Sequence, residues 1–474
     1  MVHGRDESIS RRRFLELAGA AGVTAFAAAC GSGPSGGGSN PVAKAGAGPS
    51  PSFLSPSSKL SGDLKILQWS HFVPHYDQWF DPYAKDWGSK AGVNVTVDHI
   101  DQADIPSRTA SEISAGSGHD LIEWVTPPSA YEPSVLDLTD LNQEALHRFG
   151  DQQKFATMSS FNPHTGRHFG YCHAWVPDPG DYRKTLWKKA GMANGPSTYD
   201  ELLKGGAEIK KAGVRMGIGM SNEVDSNMAA RAIIWSFGGS IQDAHDNVVL
   251  NSDNTVAAVE YMTKLFKQTM NSEVFSWNAA SNNQGLIAGQ LSYILNSISA
   301  YRSAQDAEPK VANDVFFTPA LKGPSGKSLA SQHVVLVYII PKHAKNPDAA
   351  KEFLLNLTAN EPAVTYNSEL YNFPAFPKTV SQLDGWLAKD PFGSKPANKL
   401  ALLKDSPSWT TNVGHPGAAN AAVGEVFTTF VISQMMASAA QGKKSAKEAV
   451  SDADRQCKNI FAKWRSQGLI GGSG

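Results

Sequence analysis

The feature that most constrains this chain is the alternation of strand-like and helix-like segments that begins near residue 60. Residues 64–69 read as a buried strand, an aromatic-rich helix follows over about 76–87, and valines occupy every second position of 93–97. Residues 120–124 read as a third strand. Strand-helix-strand units with this spacing predict an α/β fold, with a mostly parallel sheet and helices on both of its faces.

Segments further along the chain carry helix caps and one more strand. Thr198 and Glu201 have the spacing of a capping box, and Gly213 lies just past the end of the helix that they predict. Asn346 and the proline after it suit the start of another helix. Residues 334–340 are a continuous apolar run, which is typical of a strand buried on both faces.

The N-terminus has the pattern of an export signal. Arg11, Arg12 and Arg13 precede a short, alanine-rich apolar stretch that ends at Cys30. The arginines resemble the twin-arginine (Tat) motif, and residues 27–30, Ala-Ala-Ala-Cys, resemble a lipobox with alanine in place of its usual leucine. We therefore expect a signal peptide over 1–29 and a diacylglycerol on Cys30. The alternative is an ordinary secretory signal cleaved after residue 29, which would leave a free protein.

Composition limits the partners of the mature protein. The chain has 474 residues, 43 basic and 44 acidic, so its formal net charge of -1 leaves no basic excess for binding nucleic acid. Three cysteines are too few for a disulfide framework. Residues 30–59 are rich in Gly, Ser and Pro, and we expect them to form a flexible, lipid-anchored linker.

A series of motifs resembles one protein family over nearly the whole of 60–465. The most specific is Thr-Leu-Trp-Lys-Lys-Ala-Gly at 185–191, followed by Pro-Ser-Thr-Tyr-Asp-Glu-Leu-Leu at 196–203. Further matching segments, in chain order, are 64–69, 120–124, 166–171, 237–239, 250–252, 317–320, 323–326 and 340–350. Together these segments resemble the extracellular solute-binding proteins of the carbohydrate-binding family 1, which are similar to maltose-binding protein.

The resemblance implies a type II periplasmic-binding-protein fold with two α/β lobes and a hinge. Lobe one is expected over 60–175 and 315–370, and lobe two over 176–314 and 371–474. The expected function is the capture of a small polar solute, above all a sugar or sugar derivative, for an ABC importer. A polyol, a glycerophosphodiester or a polyamine is the alternative solute. The resemblance further implies a monomer outside the cytoplasm that contacts the permease subunits, needs no cofactor and is not an enzyme.

The residues expected to contact the solute lie at strand ends or at positions that the family uses for its cleft. They are Trp69, Ser70, His71, Phe72, Glu123, Trp124, Trp175, Trp277, Asn278, Asn296, Ser297, His333 and His415. Trp124 is expected to be an aromatic platform, because the carboxyl edge of such a sheet is where ligands bind. Its alternative is packing beneath the next loop. His333 stands near where the family often has paired glycines, so its side chain is a candidate in their place.

Two other classes of function compete with solute binding. An exported enzyme is the first, but the sequence contains neither HExxH nor CxxC, and no pair of carboxylates stands out as acid and base. A metal-binding lipoprotein is the second, because His71 and His75, and likewise His164 and His168, are four residues apart. Prolines in and beside these pairs favour exposed loops instead, so no metal site is expected.

Overall fold

The computed structural model describes residues 48–473, and the predicted signal peptide and Cys30 lie outside them. The strands are β1 Asp63–Trp69, β2 Asn94–Ile100, β3 Leu121–Trp124, β4 Phe161–Asn162, β5 Arg167–His168, β6 Tyr171–Val176, β7 Gly180–Arg183, β8 Arg215–Gly217, β9 Leu291–Leu295, β10 Val315–Thr318, β11 Ala330–Ser331, β12 Val334–Ile339, β13 Phe373–Pro374 and β14 Thr410–Thr411.

The helices lie between these strands and at the C-terminus. They are α1 His75–Ala91, α2 Ile105–Ala115, α3 Thr139–Phe149, α4 Lys154–Thr157, α5 Lys184–Lys189, α6 Tyr199–Lys211, α7 Val224–Ser236, α8 Asp253–Thr269, α9 Ser281–Ile287, α10 Ser299–Ala307, α11 Pro309–Asp314, α12 Pro347–Ala359, α13 Glu361–Asn367, α14 Leu383–Ala388, α15 Ala421–Thr428, α16 Val431–Ala440 and α17 Ala446–Ser466. Short 3-10 helices cover Gln102–Asp104, Ser129–Ser134, Ser272–Phe275, Pro377–Thr379 and Ala401–Ser408.

The predicted helices and strands are present, but the capping box expected at the start of α6 is only half formed. The Thr198 side chain accepts a hydrogen bond from the Glu201 amide at 3.1 Å and so caps α6. The Glu201 carboxylate, however, reaches the Ser197 amide at 2.7 Å instead of the amide of Thr198. Asn346 caps α12, and Gly213 has a φ of 92° just past α6, as predicted.

The larger sheet belongs to lobe one and has the strand order β13-β6-β12-β3-β1-β2. Strand β1 pairs in parallel with β2 and β3, but β12 is antiparallel to both β3 and β6, and β13 is antiparallel to β6. The prediction of a mostly parallel sheet is therefore wrong. The spacing argument applies to strands linked by one helix, whereas the chain leaves this lobe after β6 and re-enters it at β12.

The smaller sheet, with the order β10-β7-β9-β8, belongs to lobe two. Strand β10 begins at Val315, where lobe one was expected to resume, but it pairs with β7 in lobe two. Strand β13, Phe373–Pro374, lies beyond the predicted return to lobe two at residue 371, yet it joins the larger sheet. These strands place both of the later crossings further along the chain than expected.

The last part of the predicted linker packs on lobe one. The ring of Phe53 stacks on Tyr83 with centroids 5.8 Å apart, and the backbone of Ser52 exchanges two hydrogen bonds with the Asn360 side chain. The expectation of a flexible linker is therefore wrong for residues 48–59. The overall Gly, Ser and Pro content of the segment gave no weight to its single aromatic residue, Phe53, which packs on the lobe. No helix within 48–473 has the length and apolar character needed to span a membrane.

Candidate functional site

A cavity of about 520 Å³ opens between the two lobes. Its walls come from the loops that follow β1, β2 and β3 on one side and from lobe two on the other. The lining residues are Ser70, Phe72, Asp101–Ala103, Ile105–Ser107, Trp124–Thr126, Asn222–Val224, Trp277–Ala280, Phe427, Thr428 and Phe430. A volume of this size is within the range of cavities that hold small molecules.

The lobe-one wall is built where neighbouring parallel strands end. Strand β1 stops at Trp69, and the Ser70 amide still bonds to the Ile100 carbonyl at 2.7 Å, which directs the next residues into the cavity. The ring of Phe72 lies edge-on against Trp69 at 5.5 Å. Trp124, the last residue of β3, lines the cavity at 2% exposure and packs on Tyr131 at 5.1 Å.

The lobe-two wall combines a helix start with two loops. Glu223 caps α7 by accepting from the amides of Asp225 and Ser226, both at 2.6 Å. The loop that carries Trp277 is held by the Ser221 hydroxyl, which donates to the Trp277 carbonyl at 2.7 Å. Phe430 lines the cavity with a φ of 58°, a left-handed conformation that costs a residue with a side chain about 1–3 kcal/mol.

Four buried polar residues meet at the hinge beside this cavity, and we call them the hinge cluster: Asp178, Asp225, His333 and Tyr371. Asp178 follows β6, and His333 precedes β12, so both lie where the chain crosses between lobes. The Nδ1 of His333 is 3.1 Å from Asp178 Oδ1, and its Nε2 is 3.7 Å from Asp225 Oδ1. Asp225 follows the cavity-lining Val224 in the chain, but none of the four residues of the cluster lines the cavity itself.

Burial and mutual charge shift the ionisation of these groups. Burial raises the pKa of Asp225, and the charge of His333 only partly offsets it. Burial, together with the charge of Asp225, raises the pKa of Glu223. Burial lowers the pKa of His333, but the hydrogen bond to Asp178 and the charge of Asp225 outweigh it, so the net shift is upward. The two carboxylates therefore favour the charged form of the imidazole.

Five predicted contact residues lie together on the cavity walls. Ser70, Phe72 and Trp124 come from lobe one, and Trp277 and Asn278 from lobe two. Their contact with a solute stays a prediction. Among the described residues the Trp124 indole nitrogen has no hydrogen-bond partner, which leaves one donor at the wall for a polar group.

Four predicted residues of lobe one lie behind that wall. Trp69 is 1% exposed beneath Phe72, and His71 bonds through Nε2 to Asn372 Oδ1 at 3.1 Å. Burial lowers the pKa of His71 to about 4, so this imidazole is neutral. Trp175 donates to the Pro374 carbonyl at 3.2 Å, on the side of β6 that packs on β13.

Glu123, the fourth of these residues, belongs to a buried ion triad. Its Oε1 is 3.2 Å from Nε2 of His173, whose Nδ1 is 2.8 Å from Glu361 Oε1. Burial disfavours the charged imidazole, but the charge of Glu361 and the hydrogen bond to Glu123 raise the pKa of His173 to about 9. The three side chains of the triad thus bond to one another inside lobe one, and none of them lines the cavity.

The remaining four predicted residues do not line the cavity. His333 is in the hinge cluster. Asn296 bonds to Asn283, and Ser297, which is fully buried, has a hydroxyl with no partner among the described residues. His415 lies apart, 5.6 Å from the ring of Trp235, and does not line the cavity.

The two histidine pairs considered as metal ligands have different surroundings. His71 is buried and hydrogen-bonds to Asn372, so the expectation of an exposed loop is wrong for it, while His164 and His168 lie in the β4–β5 turn. Across residues 48–473, no group of three or more His, Cys, Asp or Glu side chains is placed to hold a metal ion. Cys172 and Cys457 are each buried and unpaired.

Sequence reasoning missed most of the lobe-two wall and most of the hinge cluster. Phe427 and Phe430 carry no motif, and Asp225 and Tyr371 come from parts of the chain about 150 residues apart. One signal was available, because the Asp-Pro-Gly at 178–180 directly follows the strand from which the chain leaves lobe one.

Comparison with known families decides the relationship. The profile of the bacterial extracellular solute-binding protein family matches residues 78–392, more than half of the chain. The chain belongs to this family. Binding proteins of Brucella abortus (strain 2308) and Brucella suis biovar 1 are each 22% identical to this solute-binding protein over 336 residues, which is 66% of this chain and 78% of theirs. The family is extracellular, so the protein works outside the cytoplasm.

Solved structures share the fold of this solute-binding protein. Maltose-bound MalE3 of T. maritima superposes with a TM-score of 0.69 at 20% identity, covering 84% of this chain and 100% of that one. A sugar transporter of Arthrobacter chlorophenolicus A6 with bound laminaribiose superposes with a TM-score of 0.71 at 17% identity, covering 84% of this chain and 99% of that one. A solute-binding protein of Agrobacterium radiobacter K84 in complex with ribitol superposes with a TM-score of 0.68 at 16% identity, covering 84% of this chain and 98% of that one. The predicted two-lobed fold is confirmed.

Proposed function

We propose that this protein is the solute-binding component of an ABC importer and captures a sugar or sugar derivative between its lobes. The observation that carries the proposal is the interlobe cavity, which combines aromatic walls with polar groups. Trp124, Trp277 and Phe72 can cover the apolar C–H face of a sugar ring, while Asn278 and Glu223 can bond to its hydroxyls.

The related structures support the same solute class. Three proteins with this fold were solved with maltose, laminaribiose and ribitol, which are two disaccharides and a polyol. The charge of the site weighs against one alternative, a glycerophosphodiester. The ionisable residues described on the cavity wall are Asp101 and Glu223, without a lysine or arginine to bind a phosphate.

A ligand screen tests this proposal. Thermal shift measurements would compare mono- and disaccharides, polyols, glycerophosphocholine and spermidine. A solute present at a hundred times its dissociation constant stabilises the folded protein by about 2.7 kcal/mol. Mass analysis of the recovered solute should find it chemically unchanged. Failure of every sugar and polyol to stabilise the protein, or conversion of the solute to a product, would overturn the proposal.

We further propose that the protein is exported by the Tat route, anchored through an acylated Cys30, and presented as a monomer to the permease subunits. The support is in the sequence alone: the consecutive arginines, the short apolar stretch and the cysteine at the position that lipidation requires.

A further inference from the structure

We infer that a groove on lobe two, outside the interlobe cavity, is a second sugar subsite that takes the further units of a solute longer than a disaccharide. We call it the lobe-two groove. It is a space of about 480 Å³, and its walls include Phe275, Ser276, Gln434, Ser438, Gln441 and Lys443. The inference rests on the proposed function, the capture of a sugar between the lobes, and extends that site beyond the cavity.

The lobe-two groove adjoins the interlobe cavity. Trp277 and Asn222 line both spaces, so the two spaces meet at these residues. The other described residues of the groove also belong to lobe two, in the loop before α7, the loop after the 3-10 helix Ser272–Phe275, and α16 with the turn that follows it. A sugar chain that leaves the cavity past Trp277 can therefore enter the groove while staying in contact with the protein.

The boundary between the two spaces is held in place. The Ser221 hydroxyl donates to the Trp277 carbonyl at 2.7 Å, and the Met220 amide donates to the Val274 carbonyl at 2.9 Å. A Cβ atom at Gly217 would lie 2.2 Å from Cη2 of Trp277, so the indole ring occupies space that a larger residue at 217 would fill. Walls that are already ordered lose less conformational entropy when a solute binds.

The groove combines aromatic surface with neutral hydrogen-bonding groups. The half-buried ring of Phe275 packs on Phe266 with centroids 4.7 Å apart, and it can cover the C–H face of a sugar ring. The Ser438 hydroxyl donates to the Met435 carbonyl at 2.9 Å, which leaves its oxygen as an acceptor. The exposed amide of Gln441 adds donors and an acceptor. Sugar hydroxyls both donate and accept, so they match these groups.

The charge of the groove favours a sugar over a polyamine. Among its described lining residues the ionisable one is Lys443, so the groove offers no carboxylate to bind an ammonium group. The Lys443 ammonium would repel a polyamine, whereas it can donate to the hydroxyl oxygens of a neutral sugar.

Two other depressions on lobe two, of about 510 and 440 Å³, show that size alone does not distinguish a sugar subsite. Among the described residues, neither depression is lined by an aromatic side chain, and neither shares a residue with the interlobe cavity. The lobe-two groove has both features, and this combination is what the inference depends on.

A chain-length series tests the inference by calorimetry. The probes are glucose and its di-, tri- and tetrasaccharides in α-1,4, β-1,3 and β-1,4 linkage. Maltose and laminaribiose, which proteins of this fold bind, are the disaccharides of the first two series. In at least one series the tetrasaccharide should bind at least about tenfold more tightly than the disaccharide, because its further units cover apolar surface in the groove.

Two variants locate this increase in affinity. Ser276→Trp places an indole in the groove and should reduce the affinity ratio of tetrasaccharide to disaccharide to about one, since the further units lose their apolar contacts. Gln441→Ala removes a hydrogen-bonding amide and should also reduce the ratio. Ser272→Trp is the matched control, because Ser272 is exposed on the adjoining 3-10 helix but does not line the groove. It should keep the ratio of the unaltered protein.

Chemical labelling of the unaltered protein gives a second measurement that does not depend on a variant folding. Lys443 lines the groove, whereas Lys447 is exposed outside it. The bound tetrasaccharide should slow the acetylation of Lys443 by acetic anhydride, and the disaccharide should not. Neither sugar should change the acetylation of Lys447. Mass analysis of the peptides measures both rates.

The outcomes separate this inference from the proposed function. Equal binding of disaccharide and tetrasaccharide, or an increase that survives Ser276→Trp, would overturn the second subsite and leave sugar binding between the lobes standing. Loss of the increase in Ser272→Trp as well, or unchanged acetylation of Lys443, would also overturn it. If no member of the series binds, the inference fails, and the proposed function fails with it only when every other sugar and polyol of the ligand screen fails too.

Discussion

At the scale of single residues, Trp124 is the aromatic side chain whose role in binding can be measured most directly. We predict that Trp124→Phe weakens solute binding by about 1–3 kcal/mol, because the smaller ring covers less of the solute and removes the free indole N–H. The melting temperature of the unliganded protein should change little, since Trp124 borders the cavity and therefore packs against protein over only part of its side chain. Calorimetry and melting curves measure the two quantities separately.

Trp87→Phe is the matched control, because Trp87 is equally buried in lobe one but packs on Phe353, away from the cavity. This variant should lower the melting temperature and leave the affinity unchanged. Should Trp124→Phe behave in the same way, Trp124 would belong to the core and not to the binding wall.

The buried ion triad makes a prediction about pH. The pKa of His173 is raised from 6.5 to about 9 by the charge of Glu361 and the hydrogen bond to Glu123, which outweigh burial. A group with a raised pKa in the folded state stabilises it fully below its unfolded value and loses this contribution as the pH rises through the folded value. The melting temperature should therefore fall between pH 6.5 and 9.

His173→Gln should reduce this pH dependence, because the titrating imidazole is gone, and should be less stable than the unaltered protein at pH 6.5. His164→Gln, at an exposed turn, serves as the control and should follow the unaltered protein. A variant of His173 with the full original slope would show that another group carries the pH dependence.

At the scale of elements, the C-terminal helix α17 has a complete capping box. The Ser445 hydroxyl accepts from the Glu448 amide at 3.2 Å, and the Glu448 carboxylate accepts from the Ser445 amide at 2.8 Å. Ser445→Ala should lower the free energy of unfolding by about 1 kcal/mol, measured by urea denaturation. Ser445→Thr keeps the hydroxyl acceptor and should lower the free energy of unfolding by less than Ser445→Ala does. Equal decreases for the two variants would mean that the capping hydroxyl does not contribute to stability.

Elements with local signals could be predicted from the sequence. Strands β1–β3 and helices α6 and α12 are specified by period and capping residues such as Thr198 and Asn346, which act within a few positions. The direction of β12 could not be predicted in this way, because it depends on where the chain crosses between lobes. A continuous apolar run fits a parallel or an antiparallel neighbour equally well.

The candidate site was predictable only where it coincides with strand ends. Ser70, Phe72 and Trp124 follow from the ends of β1 and β3 at one edge of the sheet. Trp175 was placed by the same argument, but β6 runs antiparallel to β12, and its side chain packs on β13. The contact between His333 and Asp225 joins two lobes and could not be derived from either segment alone.

At the scale of the whole molecule, the two walls of the interlobe cavity connect solute binding with lobe position. Trp124 comes from lobe one, whereas Trp277 comes from lobe two. We expect a solute that touches both walls to bind the closed form in preference, and so to shift the population toward it. X-ray scattering should show a smaller radius of gyration with solute than without it. An unchanged radius would contradict hinge closure.

Attachment of the whole protein to the membrane depends on Cys30, which lies outside the described residues. We predict that Cys30→Ala releases the protein from the membrane fraction, because the thiol that would carry the diacylglycerol is gone. Immunoblotting of washed membranes and of the medium measures this. Cys457→Ala, deep in α17, is the control and should stay attached. Retention of the Cys30 variant after a salt wash would contradict the lipoprotein assignment.

The two buried thiols of the described chain have a practical consequence. Cys172 and Cys457 are unpaired and inaccessible, and burial raises the pKa of each, so neither forms the reactive thiolate readily. A cysteine introduced at Thr428, which is exposed on the cavity rim, would therefore react selectively with a maleimide dye in a soluble protein that starts at residue 48. Such a conjugate would report solute capture as a change in fluorescence, and the protein could serve as a sensor for the compound that it binds.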